Sequence, residues 1–204
     1  MPLQNRVQPD GQIIADPARG MLTGNRGILG FDDRGRLGTA RWAHRHWIIC
    51  DLAHPRGTYH GPQPARGWTP LFFMDEAVGL AAGHRPCAYC RPAAYRAFKA
   101  AWAAAFGPAG HDGIDRALHS ARVTRTRLQV THSAPLGDLP DGVFVAHDAT
   151  PHLVAKGQLW PYRPTGYGPP RARPKGVITI LTPTPTVAVL NAGYPPQLHH
   201  SIGT

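Results

Sequence analysis

Three cysteines, and the places where they stand, constrain this chain more than any other feature. Cys87 and Cys90 are two residues apart in His84-Arg85-Pro86-Cys87-Ala88-Tyr89-Cys90-Arg91-Pro92. The third cysteine, Cys50, lies well upstream, and His54 follows it by four residues. A CxxC and a CxxxH together supply four soft or borderline donors, the set that suits tetrahedral Zn²⁺. The expected metal ligands are therefore Cys50, His54, Cys87 and Cys90, with His60 and His84 as alternatives to His54. A redox CxxC normally opens a helix in a βαβ context, and no such context surrounds this one. Three cysteines placed as a ligand set point to a reducing, cytoplasmic setting and not to a disulfide framework.

Charge narrows the partner. Lys and Arg number 22 against 12 Asp and Glu, a formal charge of +10, and only Lys99, Lys156 and Lys175 are lysines. Arginine matches phosphate and base edges with a planar, bidentate fork, so so basic a chain is a candidate for DNA. Glu76 is the sole glutamate, and no acid follows Asp148. The candidate phosphate contacts are Arg45, Arg85, Arg91, Arg122, Arg125, Arg127, Arg163, Arg171, Arg173 and Lys175, with Tyr162 and Tyr167 available for stacking. Residues 1–16 lack a secretory pattern, and no apolar run reaches membrane-spanning length.

Periodicity and turn residues sketch an α+β fold, one compact unit with a zinc-knuckle first half and a β-rich second half. Residues 1–106 form the zinc-centred region and residues 107–204 the helix plus β-rich basic region, packed as one domain with the first. After an irregular lead-in, a β-hairpin is expected around Asp32-Asp33-Arg34-Gly35, its second arm running over residues 36–50 and delivering Cys50 at its end. Residues 55–67 read as a loop. Helices are expected over residues 73–82, 92–106, 112–122 and 186–192, punctuated by Gly83, Pro92, Gly107 and Gly193. Tyr95, Phe98, Trp102 and Phe106 form an apolar stripe at helical spacing, and so a core face. Residues 124–131, 142–146, 152–160 and 176–181 read as strands, with a flexible Arg/Pro loop over residues 163–175.

The knuckle and its surroundings resemble the metal-binding, phosphotriester-repair domain of the Ada DNA-repair protein. The parallels are Trp47-Ile48-Ile49-Cys50, Leu71-Phe72-Phe73, Asp75-Glu76-Ala77 and Ala82-Gly83-His84-Arg85-Pro86-Cys87-Ala88-Tyr89-Cys90-Arg91-Pro92. They span residues 42–95, under a third of the chain. The resemblance implies zinc, contact with DNA, and at Cys50 the position that accepts a methyl group from a DNA phosphotriester. There are departures: the family's second cysteine falls on His54, the loop before the Phe pair is longer, and the family's downstream helix-turn-helix is missing. Three thiolates and a neutral His leave the site at −1, whereas four thiolates leave −2, so a sulfur here is the poorer nucleophile.

Two further chemistries bear on the same residues and on the third helix. Pro86-Cys87-x-x-Cys90 matches half of a zinc deaminase signature, but the His-x-Glu half fails because residue 74 is Met and Glu76 stands alone. Asp115 and His119 lie four apart on an expected helix and can face the same way, the kind of pair a glycosylase or nuclease could use for acid–base work. Three readings follow: a zinc-stabilised DNA-binding protein acting in repair or processing of modified DNA; a DNA-acting hydrolase whose zinc is purely structural; and a zinc-folded interaction module whose charge is incidental.

Overall fold

A computed structural model describes residues 2–54, 57–58 and 67–203; for residues 54, 57 and 58 it describes the backbone alone. The chain starts with three short strands, β1 (Gln4–Val7), β2 (Ile13–Ala15) and β3 (Leu22–Asn25), then reaches β4 (Ile48–Asp51). A two-residue pair follows, β5 (Ala53–His54) with β6 (Gly57–Thr58), then β7 (Leu71–Phe73), α1 (Glu76–Ala81) and β8 (Arg85–Pro86). The first sheet is six-stranded, in the order β2-β1-β7-β3-β4-β8. Within it β4 and β8 run parallel, pairing Ile48 with Arg85 and Ile49 with Pro86.

Helices α2 (Pro92–Phe106) and α3 (His111–Arg122) come next. The second half is built on β9 (His132–Pro135), β10 (Phe144–His147), β11 (Thr150–Ala155), β12 (Gln158–Arg163), β13 (Gly166–Tyr167), β14 (Arg171–Ala172) and β15 (Val177–Ile180), and ends in α4 (Thr184–Asn191). These strands form one antiparallel sheet, ordered β13-β12-β11-β10-β15-β9, with β14 alongside β12. Helix α1 packs on β7 and on β10, one strand from each sheet, and all six of its residues are buried. One continuous core runs from Val7 and Phe73 through Leu80 and Phe98 to Phe144 and Leu159. The molecule is thus a single α+β unit. Its described helices include none long and apolar enough to cross a membrane.

The expected helices form, with shifts at their ends. Asp75 lies outside α1 and caps it, its Oδ1 accepting from the Val78 amide at 3.0 Å. Phe73, expected to start that helix, is the last residue of β7. Phe98 and Trp102 are buried as the stripe on α2 requires, but Phe106 at the helix end is 53% exposed.

The strands depart further. The long hairpin arm over residues 36–50 shrinks to β4, whose antiparallel partner is β3, and the Asp32–Gly35 turn closes only an isolated Phe31–Leu37 bridge. Residues 124–131 do not form a strand: Arg127 sits at φ 67 in an exposed turn closed by a Val123–Gln129 bridge. The strand expected over residues 152–160 is two strands, β11 and β12, joined through Lys156 and Gly157, both at positive φ. Residues 163–175 include β13 and β14, which pair with β12.

Candidate metal centre and adjoining groove

The parallel register of β4 and β8 builds the cysteine site. With Ile49 opposite Pro86, the next residues along, Cys50 and Cys87, lie side by side, and the Cys87 amide donates to the Ile49 carbonyl at 2.9 Å. The chain then turns tightly, the Tyr89 amide donating to Cys87 Sγ at 3.4 Å and the Arg91 amide to the Cys87 carbonyl at 3.1 Å. Arg91 is the N-cap residue of α2 and Pro92 its opening residue. Cys90 is thereby folded back toward Cys50.

The three sulfurs all lie within 4.8 Å of one another. Tetrahedral Zn–S bonds of about 2.3 Å separate sulfurs by about 3.8 Å, so the trio fits a metal ion of that kind. Cys50 and Cys87 are buried and Cys90 half-buried. The thiols lie in mutual contact: Cys50 and Cys90 pull the Cys87 thiol down, while Cys87 and Cys90 push the Cys50 thiol up. Crowding one thiolate against two thiols is the arrangement that a cation relieves.

Of the candidate fourth ligands, His60 lies outside the described residues, and so does the side chain of His54, whose backbone is in β5. His84 is excluded. It is fully buried between Trp47 and Phe73, accepts from Arg26 Nε at its Nε2 (3.0 Å), and donates from Nδ1 to the Gly79 carbonyl (3.1 Å). Burial, with Arg26 and Arg122 nearby, holds it well below the usual histidine range and so neutral. Neither ring nitrogen is left for a metal.

Next to the cysteines lies an open groove of about 600 Å³, lined by His46, Ile48, Arg85, Cys87, Ala88, Tyr89, Tyr95, His111 and Asp112. Asp115, on α3, lies behind two of these residues, His46 and Arg85. It is fully buried, with Arg85 clamping it at both oxygens (Nε–Oδ1 and Nη2–Oδ2, each 2.7 Å). Its Oδ2 also accepts from His46 Nδ1 at 2.7 Å, while His46 Nε2 stands 3.8 Å from Asp112. The imidazole held by Asp115 is therefore that of His46. His119, four residues on, instead accepts from Arg122 Nη2 at 2.9 Å and packs edge-on against Trp42 and Trp47. His46 carried no sequence signal beyond its place on the polar side of the Cys50 arm, because its partner is 69 residues away.

The expected phosphate contacts divide by burial. Arg85, Arg91 and Arg122 are interior and already engaged. Arg91 pairs with Glu76 and Asp51 (2.7 and 3.3 Å), and Arg122 donates to the Gly83 and Arg45 carbonyls, both at 2.7 Å. Gly83 is required here for its φ of +85 and because an added Cβ would stand 2.5 Å from the Arg122 side chain. Arg45, Arg125, Arg127, Arg163, Arg171 and Lys175 are exposed, and Arg173 is half-buried. Three of the seven are lightly tied to surface carboxylates: Arg45 to Asp112, Arg171 to Asp148 and Arg173 to Asp141, each at 3.5 Å.

Comparison with protein-family models, with curated proteins and with solved structures returns no match.

Proposed function

We propose that this chain is a zinc-stabilised DNA-binding protein that acts in the repair or processing of damaged or modified DNA. The reading is carried by the convergence of Cys50, Cys87 and Cys90 within 4.8 Å, next to a groove whose Asp112 pairs with the exposed Arg45, in a chain of charge +10. His54 is the fourth ligand in this reading. The metal locks the end of β4 to the Cys87–Cys90 turn, and the exposed arginines and Lys175 supply the phosphate contacts. Burial of Cys50 favours a structural cluster over a methyl-accepting one.

Salt dependence tests it. Affinity for DNA should fall steeply as salt rises, because each neutralised phosphate releases counterions. Replacing Arg171 and Lys175 with Glu should weaken binding and flatten that dependence. Absence of DNA binding even at low salt would sink the reading. Mass spectrometry of Cys50 after incubation with methylphosphotriester DNA separates methyl acceptance from binding alone.

The hydrolase reading is favoured by one specific observation, the His46–Asp115 contact at 2.7 Å beside the groove. A carboxylate on Nδ1 fixes the tautomer and leaves Nε2 to take a proton from water. In this reading His46 replaces His119 as the acid–base residue and Asp115 positions it. Loss of cleavage or base release in His46→Gln, with DNA affinity unchanged, is the expected result.

A further inference from the structure

A second cavity, of about 620 Å³, opens where the two halves of the molecule meet. Its wall takes Asp10 to Gln12 from the lead-in, Arg26, Arg41, Trp42 and Trp47 from the segment before β4, and Arg122, Arg127 and Gln129 from the end of α3 and the following turn. It shares no residue with the cysteine cluster or the His46 groove, and of its wall the proposed function uses only Arg127, as one of the exposed phosphate contacts.

Its charge is out of balance. Four guanidinia line it, those of Arg26, Arg41, Arg122 and Arg127, and the only acid in the wall among the described residues is Asp10; Asp115, which acts on Arg122 from outside the wall, is already clamped by Arg85. None of the four is within ion-pair distance of a carboxylate among the described residues. Arg26 and Arg122 are both about 1% exposed and stack on the Trp47 ring, at 3.7 and 3.8 Å from its centroid. Arg26 Nη2 and Arg122 Nε are buried and find no hydrogen-bond partner among the described residues. Burial and mutual repulsion push Arg26 down, and burial pushes Arg122 down to about 9. A ring quadrupole offsets only part of the cost of two buried cations, and an unpartnered buried donor is costly by itself. Arg41 and Arg127 at the mouth donate only to backbone carbonyls, of Gly38 and Ala40 and of Thr39. An anion in the cavity supplies the missing charge.

The same wall offers a flat apolar face. Trp42 is half-buried, braced by Trp47 at 5.5 Å between centroids and by the edge of His119. Trp47 is covered by the arginines, which leaves Trp42 as the ring for a ligand. Gln129 holds its amide nitrogen on the Pro9, Ala81 and Leu181 carbonyls, and its Oε1 is left as an acceptor without a partner among the described residues. An acceptor at a fixed position can read a base amino group. A volume of this size suits a small organic ligand.

We propose that this cavity binds a nucleotide, its base against Trp42 and its phosphate at Arg41 and Arg127, with the Arg26–Arg122 pair behind them. The need for an anion follows from the cavity alone; the choice of a nucleotide over other ring-bearing anions rests on the nucleic-acid reading above. The nucleotide is either free or one unit of a strand turned out of its stack.

The test titrates the zinc-loaded full chain with deoxyadenosine monophosphate, deoxyadenosine, deoxyribose 5-phosphate and a short single-stranded oligodeoxynucleotide. Calorimetry and tryptophan fluorescence are the readouts, on wild type and on Arg41→Ala, Arg127→Ala and Trp42→Ala, each first checked for an unchanged melting temperature. Binding of the mononucleotide or the strand, weakened about tenfold or more in these variants, is the expected result. Binding by the mononucleotide assigns a free ligand, and binding by the strand alone assigns an extruded unit. If neither binds, if binding ignores the three substitutions, or if deoxyribose 5-phosphate binds as well as the mononucleotide, the proposal is overturned. Strand binding that ignores the substitutions removes the cavity and leaves the DNA reading intact. Mononucleotide binding without strand binding does the reverse.

Discussion

The Tyr194 hydroxyl donates to Glu76 Oε1 at 2.6 Å, joining the start of α1 to the segment just after α4 across 118 residues of chain. It belongs to a buried knot. Glu76 also takes both terminal nitrogens of Arg91 and the Gln197 amide, and its neighbour Asp75 takes the Tyr167 hydroxyl at 2.7 Å and the His199 amide at 3.0 Å. Two consecutive acids thus hold the C-terminal segments against the first half, and Arg91 links the same knot to the cysteine turn.

Removing one end of this knot has a predictable cost. Tyr194→Phe deletes one hydrogen bond to a charged group and should destabilise by about 1.5–3 kcal/mol. Glu76→Ala leaves the buried Arg91 only its longer pairing with the exposed Asp51 carboxylate and should cost about 3 kcal/mol or more. In a chain of this size each kcal/mol lowers the melting point by about 2–4 °C, which calorimetry resolves. If Glu76→Ala proves no worse than Tyr194→Phe, the knot is not a charged one.

The cysteine site predicts a metal-linked stability. Purified protein should carry zinc in a one-to-one ratio, and Cys50→Ser or a strong chelator should remove it and lower the melting temperature. His54→Ala should weaken retention less than Cys87→Ser does, since a thiolate supplies charge as well as a lone pair. Elemental analysis with thermal melts checks this. Protein that melts identically with and without chelator would make the convergence of three thiols an accident of packing.

Much of this is legible in the sequence. The cysteine cluster could be read because ligand chemistry is carried by residue type and spacing, and Cys50 needed only a strand to deliver it. The helices could be read because Pro92, Gly107 and Gly193 punctuate them. The second sheet was harder: its tight hairpins turn at Asp148-Ala149 and at Lys156-Gly157, all four at positive φ, where an Asn-Gly or Asp-Gly pair is the usual signal. Arginine misled for a different reason. Its sequence signature is the same whether the guanidinium meets a phosphate or a buried Asp115, Glu76 or Trp47, and Arg85, Arg91 and Arg122 do the latter. The i,i+4 spacing of Asp115 and His119 was a local clue overruled by distant partners.

Asp115 and His46 can be separated by what each supports. Asp115→Asn removes the counter-charge of the buried Arg85 and should destabilise by several kcal/mol, about 3–5 by the cost of an unpaired buried ion. His46 is partly exposed, and His46→Gln should change stability by about 1 kcal/mol or less. A positioning role for Asp115 predicts more: the pH profile of any DNA-processing activity should shift in Asp115→Asn protein that remains folded. Equal destabilisation by both substitutions would make His46 a structural residue and end its candidacy as a base.

Acid should loosen the fold through its histidines. His84 is neutral and depressed by burial beside Arg26 and Arg122, and burial also lowers His44, His119, His132, His152 and His199. For a depressed histidine the unfolded chain takes the proton first, so the stabilisation is complete above about pH 6.5 and drains away as pH falls. Asp75 acts in the opposite sense: burial raises it to about 6, so between about pH 4 and pH 6 the native state binds the extra proton and gains from acidification. Asp51 is likewise raised by burial, and these two aspartates oppose a group of six histidines over a lower range, so the melting temperature should fall from about pH 7 to pH 5. His84→Gln, whose amide can still accept from Arg26 and donate to Gly79, should flatten that fall. Melts in excess zinc, with metal content followed alongside, keep ligand protonation out of the comparison. An unchanged slope in the variant would mean that His84 takes its proton without unfolding the site around it.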